Sequence, residues 1–210
     1  MASSSESAPG LAPQALKRLM KELERLRKDA GSGADRVEGA PVKEDDLSVW
    51  SVKCMGLDDD NASASCKAVG AVLKDKGHAP EVDFRFHFPR DYPTEPPFVY
   101  VHTPRIRGGH IHGGGAMCLD VLMPDGWTPA TTVASLMRTI RSDIDSMFLE
   151  ASAFDKNGAL VANDIQQAKS QFSWISNVHT NWQTTQPQWS QHRDAEGAPI
   201  DANARKRQRR

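Results

Sequence analysis

Val82-Asp83-Phe84-Arg85-Phe86-His87-Phe88-Pro89-Arg90-Asp91-Tyr92-Pro93-Thr94-Glu95-Pro96-Pro97-Phe98-Val99-Tyr100-Val101 decides the fold. Val82, Phe84, Phe86 and Phe88 alternate with Asp83, Arg85 and His87, the period of a half-buried strand. Pro89, Pro93, Pro96 and Pro97 then fix φ and withhold ladder donors, so the next stretch is a rigid surface connection. Phe98 to Val101 resumes as a strand. Upstream, Val49, Val52 and Cys54 fit a strand between Leu47 and Met55, although Trp50 breaks strict alternation. Between these strands, Cys66, Val69, Val72 and Leu73 recur at helical spacing, which predicts a short inserted helix within Ala62 to Lys76.

Helical patterns flank the strands. Leu16, Leu19, Met20, Leu23 and Leu26 form an apolar stripe starting near Pro13, with Lys17, Arg18, Lys21, Arg25, Arg27 and Lys28 off it. Gly31 and Gly33 are expected to end that helix. Val133, Leu136, Met137, Ile140 and Ile144 mark another helix. A last one is expected from about Leu160, with Val161, Ile165, Ala168, Phe172 and Ile175 on one face. Residues 1–12 are small and polar, a disordered tail by composition. Residues 13–182 form the expected globular domain, and 183–210 a polar tail with a basic end.

Composition excludes some classes. The 210 residues carry a formal net charge of −1, with 39% hydrophobic and 25% charged residues. There is no global bias toward nucleic acid or membrane surfaces, and no apolar run approaches the roughly 18 residues of a membrane span. Met1 to Glu6 lack a signal-peptide pattern. Cys54, Cys66 and Cys118 cannot all pair with one another, which points to a cytoplasmic protein with reduced thiols. Arg205-Lys206-Arg207-Gln208-Arg209-Arg210 is a candidate nuclear-import signal, with a solvated tail as the plainer reading.

Chemistry concentrates in the long irregular stretch from Thr103 to Pro129, since loops of that length in a compact domain are usually functional. Cys118 follows Gly113, Gly114 and Gly115 and precedes an apolar run. Glycines there would let a bulky partner approach the main chain closely. Three readings are open: a buried structural thiol, a metal site with His110 and His112, and a nucleophile that forms a thioester. Cys54 and Cys66, on apolar faces of regular elements, fit the structural reading.

The order of motifs is more specific than any one of them. A basic amphipathic helix, strands, Phe-Pro-x-x-Tyr-Pro-x-x-Pro-Pro, then Cys-Leu-Asp-x-Leu and Trp-Thr-Pro-Ala resembles the ubiquitin-conjugating enzymes over roughly residues 13–182. The form Gly-Gly-x-x-x-Gly-Gly-Gly-Ala-x-Cys, with the inserted helix, resembles the Q-type branch. The resemblance implies an α+β fold with an N-terminal helix, an antiparallel β-meander and C-terminal helices. It implies an acyltransferase with Cys118 as the thioester nucleophile in a shallow groove, and no cofactor. Ubiquitin, its activating enzyme, ubiquitin ligases and protein substrates are the implied partners. A non-catalytic ubiquitin-binding variant of the same fold is the alternative, with a zinc protein further behind.

One departure stands out. The family usually carries His-Pro-Asn, its Asn eight residues before the cysteine, where this chain has Gly108, Gly109 and His110. His110 is expected to support the oxyanion, order the loop or act as a base. His112, Gly115, Asp120, Trp127 and Pro129 border the site in this reading. Glu150 and Asp155 are candidates for the family's acidic gate. Lys17, Arg18 and Lys21 are expected to face the activating enzyme, and Pro93, Pro96 and Ala130 the ligases.

Overall fold

The computed structural model describes residues 10–29 and 37–184, the side chains of 145 and 178–184 aside. The chain divides into one unit, Met1–Phe172, and a second, Ser173–Arg210. The first unit contains α1 (Pro13–Asp29), β1 (Val37–Lys43), β2 (Asp46–Cys54), α2 (Ala64–Asp75), β3 (Val82–His87) and β4 (Phe98–Thr103). These are followed by β5 (Ile106–Arg107), α3 (Val133–Asp143) and β6 (Phe148–Leu149). The last helix, α4 (Ile165–Thr184), begins in the first unit, and residues 173–184 of the second continue it.

Strands β1 to β4 form an antiparallel meander in chain order, while β5 and β6 make a separate two-stranded ribbon. The fold is therefore α+β, with the element order the resemblance implies. Register pairs Trp50 with Phe86, Val52 with Phe84, and these phenylalanines with Val99 and Val101. All six are fully buried and share one core with Leu19 and Leu26 of α1 and Leu136, Met137 and Ile140 of α3. Burying a large apolar side chain contributes roughly 1.5–3 kcal/mol, so this face fixes the register, because a one-residue slip would turn it outward. The opposite face is polar: Asp83 accepts from Ser51 at 2.7 Å and from Arg85 at 2.5 Å, and Lys53 donates to Glu81 at 2.6 Å.

The inserted helix forms where expected. Ser63 caps α2 by accepting from the Cys66 amide at 3.2 Å. Cys66, Val69 and Leu73 are buried on it, and the Cys66 thiol reaches the Ile144 carbonyl at the end of α3 at 3.7 Å. Cys54 is also fully buried, so both cysteines have the structural role expected of them.

Two sequence expectations are corrected. The α1 stripe is narrower than its leucines suggest: Leu16 is 39% and Met20 63% exposed, while Ala15 and Glu22 are buried instead. Helix α4 starts at Ile165 rather than near Leu160, because Asp164 caps it, accepting from the Gln166 and Gln167 amides at 2.9 Å. Leu160 pairs with Phe154 in a bridge, and the Val161 amide donates to Ala153. Gly31, Gly33 and the basic end 205–210 lie outside the described residues. Among those described, no helix is long and apolar enough to cross a membrane.

Candidate active site

The segment Ala116–Cys118 is anchored to the main sheet on one side and to the loop before it on the other. Ala116 bridges to Tyr100, and the Met117 amide donates to Val99 at 3.4 Å, extending β4 by a short rung. On the other side Ile111 bridges to Met117, and the Cys118 amide donates to the His110 carbonyl at 2.8 Å. Met117 and Leu119 are buried beside the half-buried Cys118. The thiol is thus held by flanking backbone pairing and by two apolar neighbours that cannot turn outward.

Gly115 explains the glycine run, and corrects its reading. Its φ is +81°, and a Cβ there would meet the Val101 carbonyl at 2.4 Å and the Asn163 amide nitrogen at 2.7 Å. Asn163, itself buried, donates to that same Val101 carbonyl at 2.9 Å. Gly114 and Gly115 are buried. The glycines let this chain pack closely on itself, rather than opening the backbone to a partner.

His110 is exposed, and its Nδ1 lies 2.6 Å from the Cys118 carbonyl. A carbonyl only accepts, so Nδ1 carries the hydrogen. In the neutral ring, Nε2 then holds the lone pair. Residue 110 and Cys118 are therefore paired twice, by side chain and by backbone, with one imidazole nitrogen left for chemistry. His112 is half-buried, and burial, then His110 and Arg107, push its pKa down, so it is held as the neutral ring. The Cys118 thiol is pushed up, by burial first and by Asp120 second. It therefore rests as the thiol and must lose its proton before it can act as a nucleophile.

Asp120 is exposed and opens a short 3-10 turn, Asp120–Leu122. Gly126 lies against it: a Cβ at residue 126 would come within 2.0 Å of the Asp120 carbonyl oxygen. Trp127 is buried and faces away from chemistry, its indole donating to the Pro93 carbonyl at 2.7 Å and its ring 6.1 Å from Tyr92. This bond joins the proline connection to the loop after the cysteine. Pro93 and Pro96 are half-exposed there, and Pro129 and Ala130 fully so.

The remaining predicted residues divide. Lys17 and Lys21 are exposed on α1. Arg18 turns inward, bonding Glu22 at 2.5 Å and the Thr131 carbonyl at 3.0 Å. Asp155 is occupied by its own turn, accepting from the amides of Asn157 and Ala159. Glu150 pairs with Arg107 at 2.5 Å on the β5–β6 ribbon, whose first strand leads directly to His110. Among the described residues no group of three or more His, Cys, Asp or Glu side chains is placed to hold a metal ion.

Sequence reasoning missed Glu22 and Arg107. Glu22 carries a signal in hindsight: it is a charged residue three positions after Leu19 and four before Leu26, inside the apolar stripe. Arg107 has none, because its partner is distant in sequence.

Comparison with known proteins gives a consistent picture. The model of the ubiquitin-conjugating enzyme family matches residues 81–177. Human ubiquitin-conjugating enzyme E2 Q1 is 33% identical over 132 residues, which cover 62% of this chain and 30% of that protein. The chain thus spans under a third of the length of that relative. The solved structure of human ubiquitin-conjugating enzyme E2 G1 aligns with a TM-score of 0.49 at 22% identity, covering 64% of this chain and 98% of that one. A human Q-like ubiquitin-conjugating enzyme protein, the first of that designation, is 30% identical over 128 residues, covering 60% of this chain and 71% of that protein. With that coverage, and with the cysteine and its glycine-rich approach in place, the chain belongs to the Q-type branch of the ubiquitin-conjugating enzyme family.

Proposed function

We propose that Cys118 accepts the C-terminus of ubiquitin from the activating enzyme as a thioester and transfers it to an acceptor protein or a ligase cysteine. The observation that carries this reading is the double pairing of His110 with the Cys118 backbone, which fixes the residue that bears the half-buried thiol. In loading, the Cys118 thiol gives up its proton to solvent, its thiolate attacks the incoming thioester carbonyl, and the activating enzyme's thiolate leaves and is protonated in turn. In discharge, an acceptor nucleophile attacks the Cys118 thioester, the carbonyl becomes a tetrahedral oxyanion, and its collapse returns the Cys118 thiolate.

His110 supports discharge. Its Nδ1–H is engaged by the Cys118 carbonyl, so Nε2 is the atom able to take the proton of an attacking amine or hydroxyl. Asn at that position, usual in the family, could not. Lys17 and Lys21 are the exposed cations of α1 for an activating enzyme. Pro93, Pro96, Pro129 and Ala130 present an apolar surface for ligases. We place the protein in the cytoplasm, residues 205–210 being either a solvated tail or an import signal that adds the nucleus; a fluorescent fusion whose distribution ignores deletion of 205–210 would leave the tail reading.

A charging assay with activating enzyme, ATP and ubiquitin tests the main reading. The expected result is a thiol-sensitive adduct on the natural chain that is absent in Cys118→Ala. No adduct on the natural chain would refute the function.

A further inference from the structure

Glu22 is the buried carboxylate of the α1 core face, 3% exposed. It gathers donors from separate parts of the chain. Arg18 reaches Oε1 from the preceding turn of α1 at 2.5 Å, and the Tyr92 hydroxyl reaches the same oxygen at 2.8 Å from the proline connection. The Val133 amide reaches Oε2 at 2.6 Å. Val133 is the first residue of α3, whose opening amides have no intrahelical partner. Thr132 and Ser135 form a capping box that satisfies one of them, the Ser135 amide at 3.1 Å. Glu22 supplies the acceptor for Val133, at the helix end where negative charge is favoured.

The loop leading into α3 is thereby held at more than one point. Arg18, fixed by Glu22, donates its other nitrogen to the Thr131 carbonyl at 3.0 Å. The Thr131 amide donates to Thr128 at 2.9 Å, and Trp127 bonds Pro93, the residue after Tyr92. Next along the chain, Gly126 abuts Asp120, two residues from the thiol. A single carboxylate thus closes a ring that runs from α1 through the proline connection and the 126–132 loop to the turn after Cys118.

We propose that Glu22 is a positioning residue for the Cys118 site, setting the loop 126–132 against the Asp120 turn and the proline connection. In taking Cys118 as the reacting thiol this rests on the function proposed above. Gln at residue 22 keeps the shape, yet its amide nitrogen cannot accept. With the nitrogen in place of Oε2 the Val133 amide loses its acceptor, with it in place of Oε1 both Arg18 and Tyr92 do, and either way the pairing with Arg18 loses its charge. The strain falls on the loop, since α1 itself stays seated by Leu19, Leu23 and Leu26.

The test compares Glu22→Gln in the full chain with Leu73→Ala, a core-destabilising change in α2, which packs on residues 144–146 and β6. The readouts are hydrogen exchange of the Trp127 indole N–H by NMR and the alkylation rate of Cys118 with iodoacetamide. In Glu22→Gln the indole is expected to exchange at least about tenfold faster than in Leu73→Ala, the scale of one charge-assisted hydrogen bond lost. Cys118 alkylation is expected to change at least about twofold relative to that control, because the field of Asp120 on the thiol shifts. If either readout matches the control, Glu22 is only a structural residue. Neither readout involves ubiquitin, so a failure of the charging assay would overturn the function and leave these two measurements to decide on Glu22.

Discussion

Replacing Gly126 by alanine is the sharpest test of how the loop after the cysteine is built. The added methyl would lie 2.0 Å from the Asp120 carbonyl oxygen and 2.6 Å from its carbon. Non-bonded heavy atoms settle at roughly 3.5 Å, so relief needs a backbone movement on the order of 1 Å. The atoms in the way are main chain, and no rotamer change can move them. Overpacking of this kind costs about 1–3 kcal/mol, and in a chain of this size each kcal/mol lowers Tm by about 2–4 °C. The Asp120 turn carries the displacement toward Cys118, two residues before it. A misplacement of about 1 Å at a reacting group costs on the order of 10²-fold in rate. Single-round thioester formation should therefore slow by about that factor, while the melting temperature falls by about 2–12 °C. Gly158→Ala is the matched control: its φ is +82° with nothing within 4 Å of the added atom, so it loses about 1–2 kcal/mol of backbone preference far from the thiol. Charging at the natural rate in Gly126→Ala, or an equal loss in Gly158→Ala, would refute the reasoning.

Other outcomes follow from the same geometry. His110→Ala should load normally yet discharge to small amine or hydroxyl acceptors on the order of 10²-fold more slowly, the usual range for a general base; unchanged discharge in a single-turnover assay would remove His110 from the chemistry. The thiol of Cys118 lies above its ordinary value of 9.0 through burial and Asp120, so its alkylation rate should still climb with pH beyond 9.0. Asp120→Asn should move that profile to lower pH, and a shift the other way would contradict the stated cause. His87, packed beside the rings of Phe98 and Tyr100, is pulled down to about 4 by burial, then by Lys169 and Arg85. The unfolded chain therefore binds that proton first, and stability should fall as pH drops from about 6.5 toward 4. Urea unfolding of natural and His87→Gln chains should show a shallower fall in the variant.

The sequence revealed the elements with strong periodicity and missed those held together by partners from elsewhere. Strand β3 was plain because its phenylalanines alternate with polar residues. Strand β1 was not, since Gly39 and Pro41 are poor strand formers; it survives as an edge strand with a bulge between Pro41 and Lys43, where a missing donor does no harm. Cys118 stands out in the sequence through its motif neighbours, and the structure leaves it half-buried, unlike Cys54 and Cys66. The glycines before it were legible as special but not in their direction, because what they approach is Val101 and Asn163, distant in the chain. Arg18 looked like one more surface cation. Only the fold brings Glu22, Tyr92 and Val133 together and turns it inward.

The extension of β4 by Ala116 and Met117 has a consequence for how this site varies over time. Ala116 and Met117 hold to the sheet, whereas Cys118 itself pairs with His110, so the thiol is tied to β4 only through the two residues before it. His110, Arg107 and Glu150 sit on an exposed loop and a two-stranded ribbon, where substitutions cost little stability. Opening of that loop would therefore release one side of the Cys118 backbone while Ala116 and Met117 keep their hold on the sheet.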